Sequence, residues 1–381
     1  MKQFKIKGPC CKQRPSSKLF FIPRQEDYNI ISEKGNITNV EGDMKMSNDK
    51  FFLTYNKQMR KLRNDKHIDC NGSSHKQILV RAGYFNIVNG YKNPFVSGLD
   101  LKGNHIYISG TSISQLQAVK YFDDHLRSFL LRYITQVEEE VRTLASYKFD
   151  DCNNNGTIPW YDTNAYSPKK TLQEKMAVIS QAYNELSKSQ LDYVKFYMDN
   201  HTQIPTWIMF KVVNFSTFIE LLNCSKIDVS HSLCKLYGLE DKNGFCDVKL
   251  LIGSLHWLRR VRNSCAHNER VYCLTRQNAS RGKTGRIIEK YFSQLSHGYT
   301  KDLSQKIFDL LIYFKYYLPP REYKQFIQEL KKMLLDLQSK IHPHAFDYVR
   351  AQMGIKNLSD LDLLITFHKD EIEYNKFDKI Q

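Results

Sequence analysis

The 381 residues include 41% hydrophobic and 13% aromatic side chains, which excludes an intrinsically disordered chain, because disordered polypeptides lack the apolar surface needed to offset the entropy of folding. With only 17 glycines and 10 prolines there are few sites for tight turns, so we expect a mainly α-helical protein. The formal net charge of +16 favours a nucleic-acid partner, because basic side chains neutralise phosphates and release counterions. A basic surface that serves solubility, or a lysine-rich composition inherited from an A/T-rich genome, is the alternative.

The cysteines and the apolar segments bear on the compartment. The nine cysteines are odd in number and include no C-x-x-C pair, so neither a disulfide framework nor a zinc module is expected. The chain starts without the apolar run of a signal peptide, and the most apolar stretch, residues 207–222, is interrupted by Lys211 and Glu220. We therefore expect a cytoplasmic protein that does not enter the membrane.

The N-terminal part divides into two predicted regions. Residues 1–48 are polar and are interpreted as a basic extension. Residues 49–110 are predicted to form a small helical or α+β domain, with a helix over 49–64, a second over 76–89 and short extended segments over 94–110.

The main helical domain is predicted over residues 111–275. After a helix cap at Thr111 or Ser112, apolar side chains recur at helical spacing from Ile113 to about Tyr147. Further helices are predicted over 171–200, 205–223, 228–237 and 247–273. The C-terminal region, residues 276–381, is predicted to contain helices over 287–318 and 320–341 and a charged tail from about Ala345.

A segment near the end of the main domain carries candidate chemistry. Four residues separate Arg262 from His267, and Asn263 directly follows the arginine. Metal-independent RNA cleavage needs a group that moves protons near neutral pH, as histidine does, and a group that binds phosphate oxygens, as arginine does. On an ideal helix Asn263 shares a face with His267, whereas Arg262 must reach with its long stem or act across a subunit boundary. The spacing alone is weakly specific, and a helix end with surface ion pairs explains it as well.

Basic residues cluster around this segment. Nine lie between residues 259 and 290, against two acidic ones, which is the feature that most favours the approach of a polyanion here. The RNA-binding candidates are Arg259, Arg260, Arg276, Arg281, Lys283 and Arg286.

The wider sequence resembles the Abi_2 (AbiD/AbiF-like) abortive-infection family of the HEPN superfamily. The string from Arg262 to Tyr272 is similar to that family's RNxxAHxxR block. Further blocks resemble it in the same order: Thr54-Tyr55 with Gln58 and Leu62; Gly83-Tyr84-Phe85 with Gly90-Tyr91 and Pro94-Phe95; Phe122 to Arg127, followed by Glu138 or Glu139 and Arg142; and Pro205-Thr206-Trp207. His125 and Thr206 depart from the typical pattern.

The resemblance implies an all-α, HEPN-type helical bundle that acts as an endoribonuclease and leaves 2′,3′-cyclic phosphate ends, with no metal and no cofactor. In that reading Arg262, His267 and Asn263 are catalytic. HEPN sites are usually composite and this chain has one convincing motif, so a homodimer is expected. AbiF-like members are associated with structured non-coding RNA, which makes such an RNA a candidate partner.

Three further residues are assigned by the resemblance to support of the cleft: Asp123, Arg127 and Arg270. Asp123 and Arg127 are four residues apart on one predicted helix, so an intrahelical ion pair explains that pair equally well. Cys265 is expected to be buried rather than to act as a nucleophile.

Two other functions remain open. The protein could be a non-catalytic RNA-binding scaffold that holds a structured non-coding RNA through its basic surface. DNA binding by residues 50–110 is a weaker alternative, and no DNA partner is expected, because no helix-turn-helix pattern is discernible there.

Overall fold

One long helix, α3 (Ile113–Cys152), is the central element of the structure, a computed structural model that describes residues 52–240, 244–275 and 306–366. The predicted cap at Ser112 is confirmed, since its side chain accepts a hydrogen bond from the amide of Gln115. Apolar side chains are buried along the whole length of α3, which continues past the predicted end near Tyr147. The helices that carry the candidate site therefore pack against α3.

Among the described residues, two α-helices and a β-hairpin precede α3. They are α1 (Tyr55–Lys66), α2 (Gly72–Ala82), β1 (Val96–Leu99) and β2 (His105–Tyr107). The antiparallel pairing of β1 with β2 confirms the predicted extended segments. The predicted second helix is wrong at both ends: it starts at Gly72, and it stops before Gly83, whose φ of +75° is incompatible with a right-handed helix. A single π-helical turn over Phe85–Asn89 follows.

Six helices follow α3 in the region of the predicted main domain. They are α4 (Leu172–Ser187), α5 (Asp192–Asn200), α6 (Thr206–Val212), α7 (Phe215–Cys224), α8 (Ile227–Tyr237) and α9 (Val248–Ala266). The predicted helix over 171–200 is two helices, as is the one over 205–223. In the second case Asn214 interrupts the helix and caps α7, because its side chain accepts a hydrogen bond from the amide of Thr217.

Four more helices complete the described chain. They are α10 (Ile307–Tyr317), α11 (Pro320–Gln338), α12 (Pro343–Met353) and α13 (Ser359–Thr366). The predicted charged tail from Ala345 is wrong as far as residue 366, because α12 and α13 bury Phe346, Val349, Leu361 and Leu364. Of the helix predicted over 287–318, the part before residue 306 lies outside the described residues, and α10 occupies the rest.

The mainly α-helical class is confirmed. The described residues from Leu53 onward belong to one compact unit, within which the finer domain boundaries stay a prediction. None of the described helices is both long enough and apolar enough to cross a membrane. None of the cysteines of the described residues forms a disulfide.

Candidate active site

Helix α9, which carries the predicted motif, is fixed on its buried face. The indole Nε1 of Trp257 donates to Asp309 Oδ1 on α10 at 2.8 Å, and the hydroxyls of Ser254 and Tyr317 are hydrogen-bonded at 2.6 Å. The apolar side chains of the same face pack against α3, α7 and α8. These contacts hold the orientation of the helix, so the direction of its last turn is set by the core.

The end of α9 differs from the prediction, which extended the helix to residue 273. The helix stops at Ala266, and Asn268 adopts the left-handed conformation with φ +56°. The amides of Asn268 and Glu269 then bind the carbonyls of Cys265 and Ser264 at 3.3 and 3.0 Å, which is the Schellman arrangement of a helix C-terminus. His267 consequently lies at the helix cap rather than on a helical face.

The three predicted catalytic residues lie at this helix end. Arg262 is partly exposed, and its Nη1 donates to Asn263 Oδ1 at 3.3 Å. His267 is exposed, and its imidazole makes no hydrogen bond to any of the described residues. The hydrogen bond between Asn263 and His267 joins main-chain atoms, the amide of His267 donating to the carbonyl of Asn263 at 3.0 Å. The side chain of Asn263 is thus directed to Arg262 and not to the imidazole.

Behind His267, the completely buried Asp123 holds the returning chain. Its Oδ1 accepts hydrogen bonds from the amides of Val271 and Tyr272 at 3.0 and 2.9 Å. Its Oδ2 accepts from the Tyr91 hydroxyl at 2.9 Å and from Arg127 Nη1 at 2.8 Å. Burial raises the pKa of Asp123, whereas these four donors favour its charged form. The ion pair with Arg127 lies within α3, and the two amides tie α3 to the segment that follows the motif; the assignment of Asp123 and Arg127 to a catalytic cleft stays a prediction.

Arg127 and Arg270 extend this connection. Arg127 Nη1 also donates to the carbonyl of Glu269 at 3.2 Å, and its Nη2 pairs with Asp124. Arg270 Nη1 donates to the carbonyl of Gly90 at 3.0 Å. Three segments that are far apart in the sequence, around residues 90, 123 and 270, therefore meet behind the helix end that carries Arg262 and His267.

The predicted RNA-binding residues have different surroundings. Arg260 is exposed, with its Nη2 3.8 Å from Glu269 Oε2. Arg259 donates to Ser216 Oγ at 2.9 Å and thereby joins α9 to α7, so it has a structural contact that the sequence did not indicate. Arg276, Arg281, Lys283 and Arg286 lie outside the described residues.

Cys265 is buried, as predicted, and burial raises its pKa to about 12. A thiol with this pKa holds its proton at neutral pH and is a poor nucleophile. Cys265 is therefore unsuited to act as a nucleophile at this helix end.

The sequence alone does not distinguish between two neighbouring glutamates of α3. Glu138 and Glu139 are adjacent on α3, yet only Glu138 faces the motif: its Oε2 lies 3.7 Å from Arg262 Nε. Its Oε1 accepts a hydrogen bond from Arg142 Nη2 at 2.7 Å. The i,i+4 spacing of Glu138 and Arg142 was the available sequence signal, but it does not point to Arg262.

Comparison with known proteins gives one match. The family model Abi_2, described as Abi-like protein, matches residues 77–273, which is more than half of the chain. The matched range includes Tyr91, Asp123, Arg127, Arg262 and His267 and ends directly after the segment that Asp123 holds. No curated protein and no solved structure gives a match. The chain belongs to the Abi-like protein family.

Proposed function

We propose that this protein is a HEPN-type endoribonuclease that cleaves RNA without a metal ion, with His267 as the acid/base group and Arg262 as the phosphate ligand. Its family implies a role in abortive infection, the defence in which an infected cell stops growing. One observation carries the proposal: an exposed imidazole and a partly exposed guanidinium lie at the end of a helix whose main chain is fixed from behind by buried Asp123.

The chemistry needs two proton transfers. A base removes the proton from the 2′-hydroxyl, the 2′-oxygen bonds to phosphorus, the bond from phosphorus to the 5′-oxygen breaks, and an acid protonates that oxygen. The products are a 2′,3′-cyclic phosphate and a 5′-hydroxyl. A histidine titrates in the range where it can serve either role, and arginine donors stabilise the charge on the phosphorane oxygens.

A second copy of the chain would complete the site. Two proton transfers on opposite sides of one phosphate suit two histidines, whereas each chain contributes one His267. Sedimentation equilibrium tests the homodimer, and a monomer at concentrations where the protein cleaves RNA would contradict it.

RNA is the proposed partner because the reaction uses the 2′-hydroxyl and because the net charge of +16 attracts a polyanion. A structured non-coding RNA bound to the same basic surface could direct or restrain cleavage. Extraction of the protein, purified from cells without nuclease treatment, tests this: one discrete RNA species supports a ribonucleoprotein. Cleavage of added RNA by protein that carries no RNA supports an independent nuclease in the cytoplasm.

The decisive experiment is product analysis with a labelled RNA oligonucleotide in excess EDTA. The wild-type protein is expected to cleave it and to leave 2′,3′-cyclic phosphate ends, and the variant His267→Ala is expected to lose cleavage by at least about 100-fold, the usual contribution of an acid/base group. Cleavage by that variant at the wild-type rate would contradict the assignment, as would cleavage that requires added metal.

A non-catalytic scaffold is the second candidate. It is favoured by the exposure of both Arg260 and His267, side chains that could bind RNA without reacting. Salt-dependent RNA binding that survives His267→Ala, with no cleavage by either form, would identify the scaffold.

A further inference from the structure

Two arginines flank the carboxylate of Glu138, and they differ in how they are held. Arg142 is buried and Arg262 is partly exposed. Arg142 Nη1 donates to the carbonyl of Val213 at 2.8 Å and to that of Phe210, both at the end of α6. Its guanidinium also lies over the rings of Phe215 and Phe218, with distances of 5.6 and 5.0 Å to their centroids. Arg142 is therefore a fixed cation inside the protein.

This fixed cation determines where the carboxylate of Glu138 lies. Arg142 Nη2 donates to Glu138 Oε1 at 2.7 Å, and the side chain of Glu138 is only 12% exposed. Burial lowers the pKa of Arg142, Glu138 raises it, and nearby Arg262 lowers it again. The two guanidinium groups thus repel each other, and the carboxylate of Glu138, which lies close to both, offsets that repulsion.

The Nε side of the Arg262 guanidinium is the side that faces Glu138. Its Nε is buried and makes no hydrogen bond to the described residues, but it lies at ion-pair distance, 3.7 Å, from Glu138 Oε2, and its Nη1 contacts Asn263 Oδ1. Within the described part of the chain, the remaining guanidinium donors have no hydrogen-bond partner. A guanidinium held along its Nε side presents its terminal donors in a fixed direction, which is the arrangement that bidentate binding of phosphate oxygens needs.

We infer that Glu138, held by Arg142, is a positioning residue that aims Arg262 at the RNA phosphate during cleavage. The inference rests on the proposed ribonuclease function and adds to it an Arg142–Glu138–Arg262 row that runs from the end of α6 to the partly exposed site. Glu138 does not touch the RNA; it acts through the direction of the Arg262 guanidinium.

The test replaces Glu138 by an uncharged residue of the same shape. Glu138→Gln removes the negative charge beside Arg142 and Arg262. Residue 138 then no longer attracts the Arg262 guanidinium, and the local positive charge rises. Turnover is expected to fall about tenfold, because misdirected groups lose rate steeply. KM for RNA is expected to stay the same or to fall, because a polyanion binds at least as well. A purely structural residue would lower the folded fraction and leave kcat per folded molecule unchanged.

The matched control is Glu139→Gln, the same substitution on the next residue of α3. Glu139 is exposed and its variant loses the same formal charge, so kcat is expected to stay within twofold of wild type. Glu138→Asp serves if the glutamine variant folds poorly: it keeps the charge but shortens the side chain, so kcat is expected to fall with an unchanged salt dependence. Wild-type kcat in both Glu138 variants would overturn the inference.

A readout independent of cleavage is the NMR signal of the Arg262 Nε–H group, identified by its absence in Arg262→Lys. We expect this signal to be sharp in the wild-type protein and in Glu139→Gln, and to shift or broaden in Glu138→Gln. An unchanged signal would overturn the inference. If Arg262→Ala and His267→Ala still cleave RNA, the proposed function fails; if both are inactive while Glu138→Gln turns over normally, only the positioning role fails.

Discussion

The two sides of the α9 C-terminus differ in how their polar groups are satisfied. On one side, the Asp123 anchor (Asp123, Tyr91, Arg127 and the amides of Val271 and Tyr272) is buried, and both carboxylate oxygens of Asp123 accept two hydrogen bonds each. On the other side, the motif rim (Arg262, Asn263 and His267) is partly or fully exposed. The stabilising contacts are concentrated in the Asp123 anchor, whereas the groups suited to chemistry lie in the motif rim. Substitutions in the two regions should therefore separate stability from activity.

The largest expected effect is on stability, from Asp123→Ala. Its loss leaves the Arg127 charge and two main-chain amides without their buried partner, so the free energy of unfolding should fall by about 3–5 kcal/mol. The control is Asp124→Ala, because Asp124 is 36% exposed and pairs with Lys120 at the surface, and because its loss leaves the buried Arg127 its hydrogen bond to Asp123; it should cost less, about 1 kcal/mol. Urea denaturation measures both, and equal losses would contradict the comparison.

Tyr91→Phe removes one hydrogen bond to the same carboxylate and keeps the ring. A hydrogen bond to a charged group contributes about 1.5–3 kcal/mol, and we expect the loss to lie in that range. Cleavage per folded molecule should stay near wild type, because the other three donors still hold Asp123. A large loss of kcat without a loss of stability would show that the anchor takes part directly in the chemistry.

The left-handed residue after the motif gives a smaller effect. Asn268→Ala keeps the β-carbon at φ +56° but removes the short polar side chain that makes this conformation tolerable, so the free energy of unfolding should fall by about 1 kcal/mol. Asn268→Gly should be neutral or slightly stabilising, because glycine adopts this conformation without strain. Thermal unfolding of the two variants distinguishes them. Equal melting temperatures would mean that the turn does not keep this conformation in solution.

The smallest expected effect is on affinity, from Arg260→Ala. Arg260 is exposed on the same helix as Arg262, and its nearest charged partner among the described residues is Glu269, 3.8 Å away, so its loss should weaken RNA binding about threefold and reduce the salt dependence by about one ion. Turnover at saturating RNA should not change. A loss of kcat comparable to that of Arg262→Ala would place Arg260 in the site as well.

The sequence predicts the elements whose causes are local. Ser112 starts α3 through its own side chain, and the prolines at 320 and 343 start helices where they remove no needed amide hydrogen. The end of α9 could not be predicted in the same way. Val271 and Tyr272 continue an apolar pattern that favours helix, but their amides bind Asp123, which lies almost 150 residues earlier in the chain.

The site shows the same limit. Arg262, His267, Asp123 and Arg127 are found by the spacing and order of short motifs, which are local in the sequence. Which of the adjacent Glu138 and Glu139 serves Arg262 depends on how α3 packs against α9, and neither spacing nor composition contains that information. Asn268 was the available indication of the helix end, because asparagine is one of the few residues that adopts the left-handed conformation readily.

The most direct test compares His267→Ala with His201→Ala. His201 is also an exposed histidine at the cap of a helix, α5, and lies outside both the anchor and the rim. The account predicts that both variants keep the wild-type unfolding midpoint, that His201→Ala keeps the wild-type cleavage rate, and that His267→Ala loses at least about 100-fold. Equal cleavage by the two variants would contradict the assignment of the chemistry to the motif rim.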